Sequence, residues 1–424
     1  MILGHQSQTG WEISDIFEST IIEKKCVKMV AKIGIELEGH LIDNYGTLSN
    51  RASEVVGSPE NNGDIMPELS RTMWETVAPP KSELSEIYSS FEERLKILKE
   101  ITDTLGLRSI PTSSLHNESE VESRDSERPR GMRKRIILGD YLRNLEHHLT
   151  GTHIHVDILE GSEKGYKQYL LMQAMDPVFS FMSSSPFFFG ANHKKDYRVD
   201  VYRNEVFRDM PLQGQLLDYP ESLAATFDRQ KACYHSFMEI LRANNLDAEG
   251  LDELNCIWGP LRLTGFGTIE SRAADSNKLS NVIALAALYQ GITEYIDNEN
   301  PRVAINTDSN YAANRLFLPK NGEIIIPSYE QLKRFERVGI EEGLENNELR
   351  DYLSNIVETC SRGLEDNKYL EPFVRMIDSR RNFSDDIISY AKKEGLEKYS
   401  RINGAAAKEL RSYIANCYER DLLD

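Results

Sequence analysis

Cysteine is scarce in this chain. Five residues in 424 (Cys26, Cys233, Cys256, Cys360, Cys417) are widely spaced, with no C-x-x-C and an odd total. That pattern predicts buried free thiols in a reducing compartment rather than a disulfide framework. No apolar run approaches the ~20 residues that a membrane span needs. The N-terminus, with Trp11, Glu12, Asp15 and Glu18, lacks the charge and apolar pattern of a signal peptide, so a cytoplasmic protein is expected. Basic residues are also in deficit: 50 Lys+Arg stand against 68 Asp+Glu, a formal net charge of −18. This argues against general nucleic-acid or anionic-membrane binding, both of which call for a basic surface. It leaves room for an anionic nucleotide held locally by metal ions. There is no G-x-x-x-x-G-K-[ST] and no usable G-x-G-x-x-G opening a helix, so P-loop and dinucleotide folds are not supported. No Ser-His-Asp arrangement stands out, and Ser183–Ser185 before Pro186 reads as turn chemistry. Internal repeats, heptad arrays and low-complexity tracts are missing as well.

What is present is ordinary globular material, 40% hydrophobic and 9% aromatic. The length suits one large domain or a catalytic domain with an appended helical part. We divide it into an N-terminal extension (1–27, a flexible segment or an added edge strand), a core (28–328) and a C-terminal helical region packed on that core (329–424). Within the core, Arg71–Ala78 has strand-like content and meets a Pro-Pro stop. Leu84, Tyr88, Phe91, Leu95, Leu98 and Leu105 recur at helical spacing. Further helices are expected over 165–182, 221–245 and 279–296, the last capped by Ser280. Asn117–Arg135 is charged and poor in apolar residues, which predicts a mobile surface loop. Its basic end, Arg128–Arg135, admits a second reading as a flap over a nucleotide or acidic substrate.

Three stretches alternate strictly and therefore read as strands with an apolar underside and a polar upper face. In Lys32–His40, Ile33, Ile35 and Leu37 point one way and Glu36 and Glu38 the other, the two carboxylates about 6.5–7 Å apart along the strand. In Gly151–Ile158, His153, His155 and Asp157 share a face. In Gly265–Ala273, Thr268, Glu270 and Arg272 share one. Any one of these faces alone is compatible with solvated charge, the ordinary state of Asp and Glu. Together with Glu68 and Glu75, though, several carboxylates around one cavity cannot all stay ionised without compensating charge. An oxygen-rich set without cysteine favours Mg²⁺ or Mn²⁺ over zinc. Two or three such ions on triphosphate oxygens would serve phosphoryl transfer. Arg272 would neutralise charge on the migrating group. The purely structural alternative is that the three faces belong to different sheets and never meet.

The order GIELE, ELSRTMWETVAP, GTHIHVDI, SSPFFFGAN with a downstream arginine, then GTIESRAADS resembles the glutamate–cysteine ligase family of the second type. These are carboxylate–amine ligases with a glutamine-synthetase-like catalytic fold. The match runs from about Ile33 to Gln290, and Asn403–Ala407 resembles the family's final helix. The resemblance implies an α+β fold, a curved and mainly antiparallel sheet with helices on its convex face. Its concave face would hold ATP and two or three Mg²⁺ ions, with Mn²⁺ as the substitute ion. Carried over residue by residue, Glu36, Glu38, Glu68, Glu75, His153 and Glu270 are implied metal ligands. His155, Thr268 and Arg272 are implied nucleotide contacts, with Arg272 and Glu270 in the catalytic set. Arg198 and Arg203 both remain as the downstream arginine, because the run Phe187–Lys195 departs from the aromatic-Trp and Asp-Thr-Gly-like stretch usual there. That departure falls in the substrate-facing region and leaves the acid and amine open. The implied substrates are L-glutamate or another carboxylate and an amine such as L-cysteine, with neither nucleic acid nor membrane as partner and a homo-oligomer left open. Phosphoryl transfer to a guanidine, on the same fold, and a catalytically silent ATP-binding homologue stand as alternatives.

Overall fold

The computed structural model describes residues 31–191, 193–210, 212–308, 312–396 and 402–423. The expected N-terminal extension lies outside them. Residues 31–424 form one compact unit.

Seven strands make one antiparallel sheet: β1 (Ile33–Asp43), β2 (Ile65–Pro67), β3 (Met73–Lys81), β4 (Leu107–Ile110), β5 (Gly151–Asp157), β6 (Leu261–Leu263) and β7 (Thr268–Asp275). Their order is β2-β3-β1-β5-β7-β6, with β4 also pairing β1. The three alternating stretches are thus β1, β5 and β7, next to one another, and their polar faces do meet. The underside residues Ile33, Ile35, Leu37, Ile154, Val156 and Ile269 are fully buried. They share one core with Ile87, Phe91, Leu95 and Leu98 of the helix Leu84–Thr104 and with most of the helix Leu279–Glu299. At about 25 cal/mol per Å² of apolar surface, this burial is what chiefly fixes strand register. Helices of the C-terminal part contribute to the same core through Phe335, Leu353, Ile356 and Tyr418. The last helix, Gly404–Leu423, starts where Asn403 Oδ1 accepts from the Ala405 and Ala406 N–H groups, each at 3.0 Å. A two-stranded parallel sheet (Arg302–Ile305 with Glu323–Ile326) was not expected from the sequence.

Several sequence expectations need correction. Asn117–Arg135 is a loop only in part: Asn117–Arg124 has no helix, whereas Pro129–Glu146 forms two helical pieces that meet at Gly139, with Asp125, Arg133 and Lys134 buried. The Pro-Pro pair does not stop β3, which continues to Lys81 through a register irregularity against β1 where the missing N–H groups are not needed. Thr264–Gly267 is a turn, so β7 starts at Thr268 rather than Gly265. The helix expected over 165–182 breaks at Asp176-Pro177, between Ser162–Ala174 and Phe179–Met182. Ser280 does not cap its helix; Lys278 holds that position, and the Ser280 hydroxyl donates to the Asp421 carboxylate at 2.6 Å. Cys233, Cys256 and Cys360 are buried and free, and Cys417 is free and half-buried. Among the described residues no helix is long and apolar enough to cross a membrane.

Candidate active site

Strand register assembles the site. Glu36 stands opposite His153, Glu38 opposite Glu75, and His155 opposite Glu270, so alternate residues of four strands converge on one face. Glu36 is the junction: Oε2 lies 2.9 Å from His153 Nδ1, and Oε1 lies 3.1 Å from His155 Nε2. The other nitrogen of His155 faces the Thr268 hydroxyl at 3.1 Å, which fixes the ring. Burial alone would raise the Glu36 pKa. The hydrogen bonds and charge of the two histidines outweigh it and hold this carboxyl below the usual range.

Glu270 is fully buried at the centre. Arg262 Nε reaches its Oε2 at 2.5 Å, and Arg272 pairs with its Oε1. Burial pushes this carboxyl up, but Arg272 and Arg262 overrule that and hold it at about 2. His153, deeply buried and near Arg272, is lowered to about 4 and is therefore a neutral imidazole at pH 7.

The second acidic group behaves oppositely. Glu38, Glu68 and Glu75 lie together; burial raises all three, and repulsion from neighbouring carboxylates adds to it for Glu38 and Glu75. Glu38 is pushed up to about 8, burial acting first and the Glu68 charge second. Only the Gly151 N–H, donating to Glu38 Oε2 at 2.7 Å, and the nearby Arg198 and Arg272 charges oppose this.

Two sets of donor atoms each fall within 4.8 Å of one another: Glu36, His155 and Glu270, and Glu38, Glu68 and Glu75. Five carboxylates and one imidazole suit a hard divalent cation, and the raised pKa values of the second set mark charge that still needs compensation. The residues present fit Mg²⁺. His153, expected as a ligand, is not in either set. It sits between them, with its Nε2 3.9 Å from Glu38 and its Nδ1 3.9 Å from Glu270.

Glu36, Glu38, Glu68 and Glu75 line a cavity of about 270 Å³. Basic residues line it too: Arg128, Arg130, Lys134 and Arg143 from the helical stretch Pro129–Glu146 and the residue before it, Arg198, and, from the sheet itself, Arg262 and Arg272. Buried ion pairs hold that stretch: Arg143 to Asp125 at 2.5 Å anchors it, and Lys134 to Glu146 at 2.5 Å ties its two pieces together across Gly139. The alternative reading of the basic end Arg128–Arg135 as facing a ligand included Arg128, Arg130 and Lys134, which do line the cavity; sequence reasoning missed Arg143 and Arg262. For Arg262 a signal existed, the short alternation Leu261-Arg262-Leu263 just before a Thr-Gly turn.

The structure separates the two candidate downstream arginines. Arg198 lines the cavity; its guanidinium donates to the carbonyls of Ala273 and Arg272 at 3.2 Å each and lies over the Tyr202 ring, with no carboxylate partner among the described residues. Gly151 makes room for it, since a Cβ there would come within 2.1 Å of Arg198 Nη2. Arg203 does not line the cavity. Its guanidinium is committed to Asp176 at 2.7 Å and Glu336 at 2.6 Å in a buried triad.

The sequence profile of glutamate-cysteine ligase family 2 matches residues 32–400. The chain belongs to that family, a family of ATP-dependent ligases. Its fold is shared with two solved ligase structures. A glutamate–cysteine ligase of Francisella tularensis, solved in complex with AMP, is 12% identical at a TM-score of 0.52, with 93% of this chain and 95% of that one covered. A bifunctional glutathione synthetase of Pasteurella multocida is 12% identical at a TM-score of 0.58, with 93% of this chain covered. The chain spans about half, 53%, of the length of that synthetase. A search of curated proteins found no sequence match. The α+β, glutamine-synthetase-like fold class expected from the sequence is the one these ligases share.

Proposed function

We propose that this family member is an ATP- and Mg²⁺-dependent carboxylate–amine ligase that makes an amide through an acyl phosphate, with L-glutamate as the acid and L-cysteine as the amine. One observation carries the reading: two acidic groups gather on one sheet face, Glu36/His155/Glu270 and Glu38/Glu68/Glu75, and Glu36, Glu38, Glu68 and Glu75 line a single cavity together with arginines and a lysine. Mg²⁺ held by these groups would supply the positive charge that shields triphosphate oxygens from the carboxylates.

The chain's own residues do the rest. Arg272, tethered by Glu270, points its charge at the space where the phosphoryl group would pass. Glu270 also fixes Arg262, so one buried carboxylate orients two cations. Arg198, hydrogen-bonded only to backbone carbonyls, keeps its charge for an anionic group of a substrate. A carboxylate oxygen of the acid attacks the γ-phosphorus and ADP leaves. The amine nitrogen then attacks the acyl carbon, inorganic phosphate leaves, and the amine gives up a proton as the amide forms. The cytoplasm is the compartment this reading assigns.

The test is incubation of the full chain with ATP, Mg²⁺ and a panel of acids and amines, read by phosphate release and product mass. A γ-glutamyl amide of cysteine is expected. A different acid or amine giving the product would move the substrate assignment. ATP turnover with a guanidine phosphate as product, or no turnover with any pair, would sink the ligase reading.

A further inference from the structure

Phe266 is the most exposed large hydrophobic side chain among the described residues, 86% accessible. Single exposed apolar residues are common and need no explanation by themselves. This one stands on a stiff platform beside the site. The turn Thr264–Gly267 joins β6 to β7. Thr264 N–H donates to the Thr268 carbonyl at 2.9 Å and Gly267 N–H to the Thr264 carbonyl at 3.1 Å. The Thr264 and Thr268 hydroxyls lie 2.6 Å apart, and Phe266 N–H donates to Thr264 Oγ1 at 3.3 Å. Gly267, at φ 74°, fills the left-handed position that closes the turn. Nothing in this hairpin requires an aromatic ring, and the ring gains almost no burial there.

The same turn reaches into the acidic groups. Thr268, its neighbour, holds His155 Nδ1 at 3.1 Å, which leaves His155 Nε2 3.1 Å from Glu36. The Phe266 ring lies 6.5 Å from the His155 ring, centroid to centroid, at an interplanar angle of 71°. An aromatic ring with a free face therefore stands one imidazole away from the Glu36/His155/Glu270 group.

We propose that Phe266 is the platform on which the purine base of the nucleotide stacks. The inference rests on the reading of the cavity as an ATP site. Phosphates held among the acids and arginines leave the nucleoside to run outward past His155, where a base needs an aromatic face and tolerates water on its other side. A phenyl face reads no exocyclic group, so it distinguishes adenine from guanine weakly.

The experiment is calorimetric binding of Mg-ATP and of Mg-tripolyphosphate to the full chain and to Phe266→Ala and Phe266→Trp. Because the side chain is exposed, neither change should disturb folding. Phe266→Ala should bind ATP about 5- to 150-fold more weakly while binding tripolyphosphate as the wild type does. Phe266→Trp should keep its ATP affinity, and its added indole emission should fall with ATP but not with tripolyphosphate. Unchanged ATP affinity in Phe266→Ala overturns the proposal, as does an equal loss for both ligands. A wild-type chain that binds neither ligand removes the ATP reading and this proposal with it. Binding of both by the wild type, with no effect of the alanine, removes this proposal alone.

Discussion

Glu36 on β1 and His153 on β5 stand directly opposite in the sheet register, with Oε2 and Nδ1 2.9 Å apart. The same carboxylate reaches His155 with its other oxygen, so one acid joins two imidazoles across a strand boundary. Glu36→Gln keeps the volume and one acceptor but removes the charge. It should cut ATP turnover about 10²–10³-fold and shift the melting midpoint far less than a core deletion would. ADP release and a thermal melt on the same preparation check this, and a collapsed melt would make Glu36 structural instead.

Arg272 and Arg203 should fail in opposite ways. Arg272→Ala removes a cavity cation and should nearly silence turnover, again by about 10²–10³-fold, in a folded protein. Arg203→Ala leaves Asp176 buried without its cation, while Glu336 keeps Lys333, a loss of about 3–5 kcal/mol of stability. Denaturant midpoints together with phosphate release separate the two. A folded, inactive Arg203→Ala would return Arg203 to the candidate catalytic set.

The legible part of this molecule was the part with a period of two. Ile33/Ile35/Leu37 beneath Glu36/Glu38 is visible as alternation, and so are the His153/His155 and Glu270/Arg272 faces, because a strand buried on one side must alternate. The order of five motifs named the family. The helical stretch Pro129–Glu146 was illegible for a physical reason: ion pairs, Lys134 and Arg143 against Asp125 and Glu146, take up much of its buried surface and leave Ile137, Leu138, Leu142 and Leu145 as a broken apolar stripe. Gly139, at φ 77°, also breaks its periodicity. The choice between Arg198 and Arg203 likewise depends on partners, Asp176 and Glu336, that are distant in sequence.

Gly151 offers a test of Arg198 that leaves the arginine in place. A Cβ at 2.1 Å from Arg198 Nη2 cannot be accommodated without moving the guanidinium. Gly151→Ala should therefore reproduce the activity loss of Arg198→Ala, at a stability cost of about 1–3 kcal/mol from overpacking. Kinetics of the two variants and of the double variant check it. If Arg198 is the target, the losses should not add.

The Glu38/Glu68/Glu75 group links stability to both pH and Mg²⁺. These acids have folded pKa values raised above their unfolded ones, Glu38 to about 8. An acid shifted this way contributes stability that is complete below its unfolded value, near 4.5, and is lost as pH rises through the folded value. Glu36 and Glu270, shifted downward, lose their contribution only at strongly acid pH and leave this window clear. The triad's contribution in the metal-free protein should therefore fall between about pH 5 and pH 9, while the buried His40, His116, His148 and His153, shifted downward, work the other way below about pH 6.5. Saturating Mg²⁺ should oppose the loss, because a bound cation replaces the protons these carboxyls would otherwise need. At a concentration about 100 times its dissociation constant the ion adds about 2.7 kcal/mol, or about 3 °C for a chain of this size. Paired melts in EDTA and in MgCl₂ at about pH 6 and about pH 9 measure the difference. The Mg²⁺ increment should be larger at the higher pH, and an increment that is equal at both, or absent, would remove the metal from this triad.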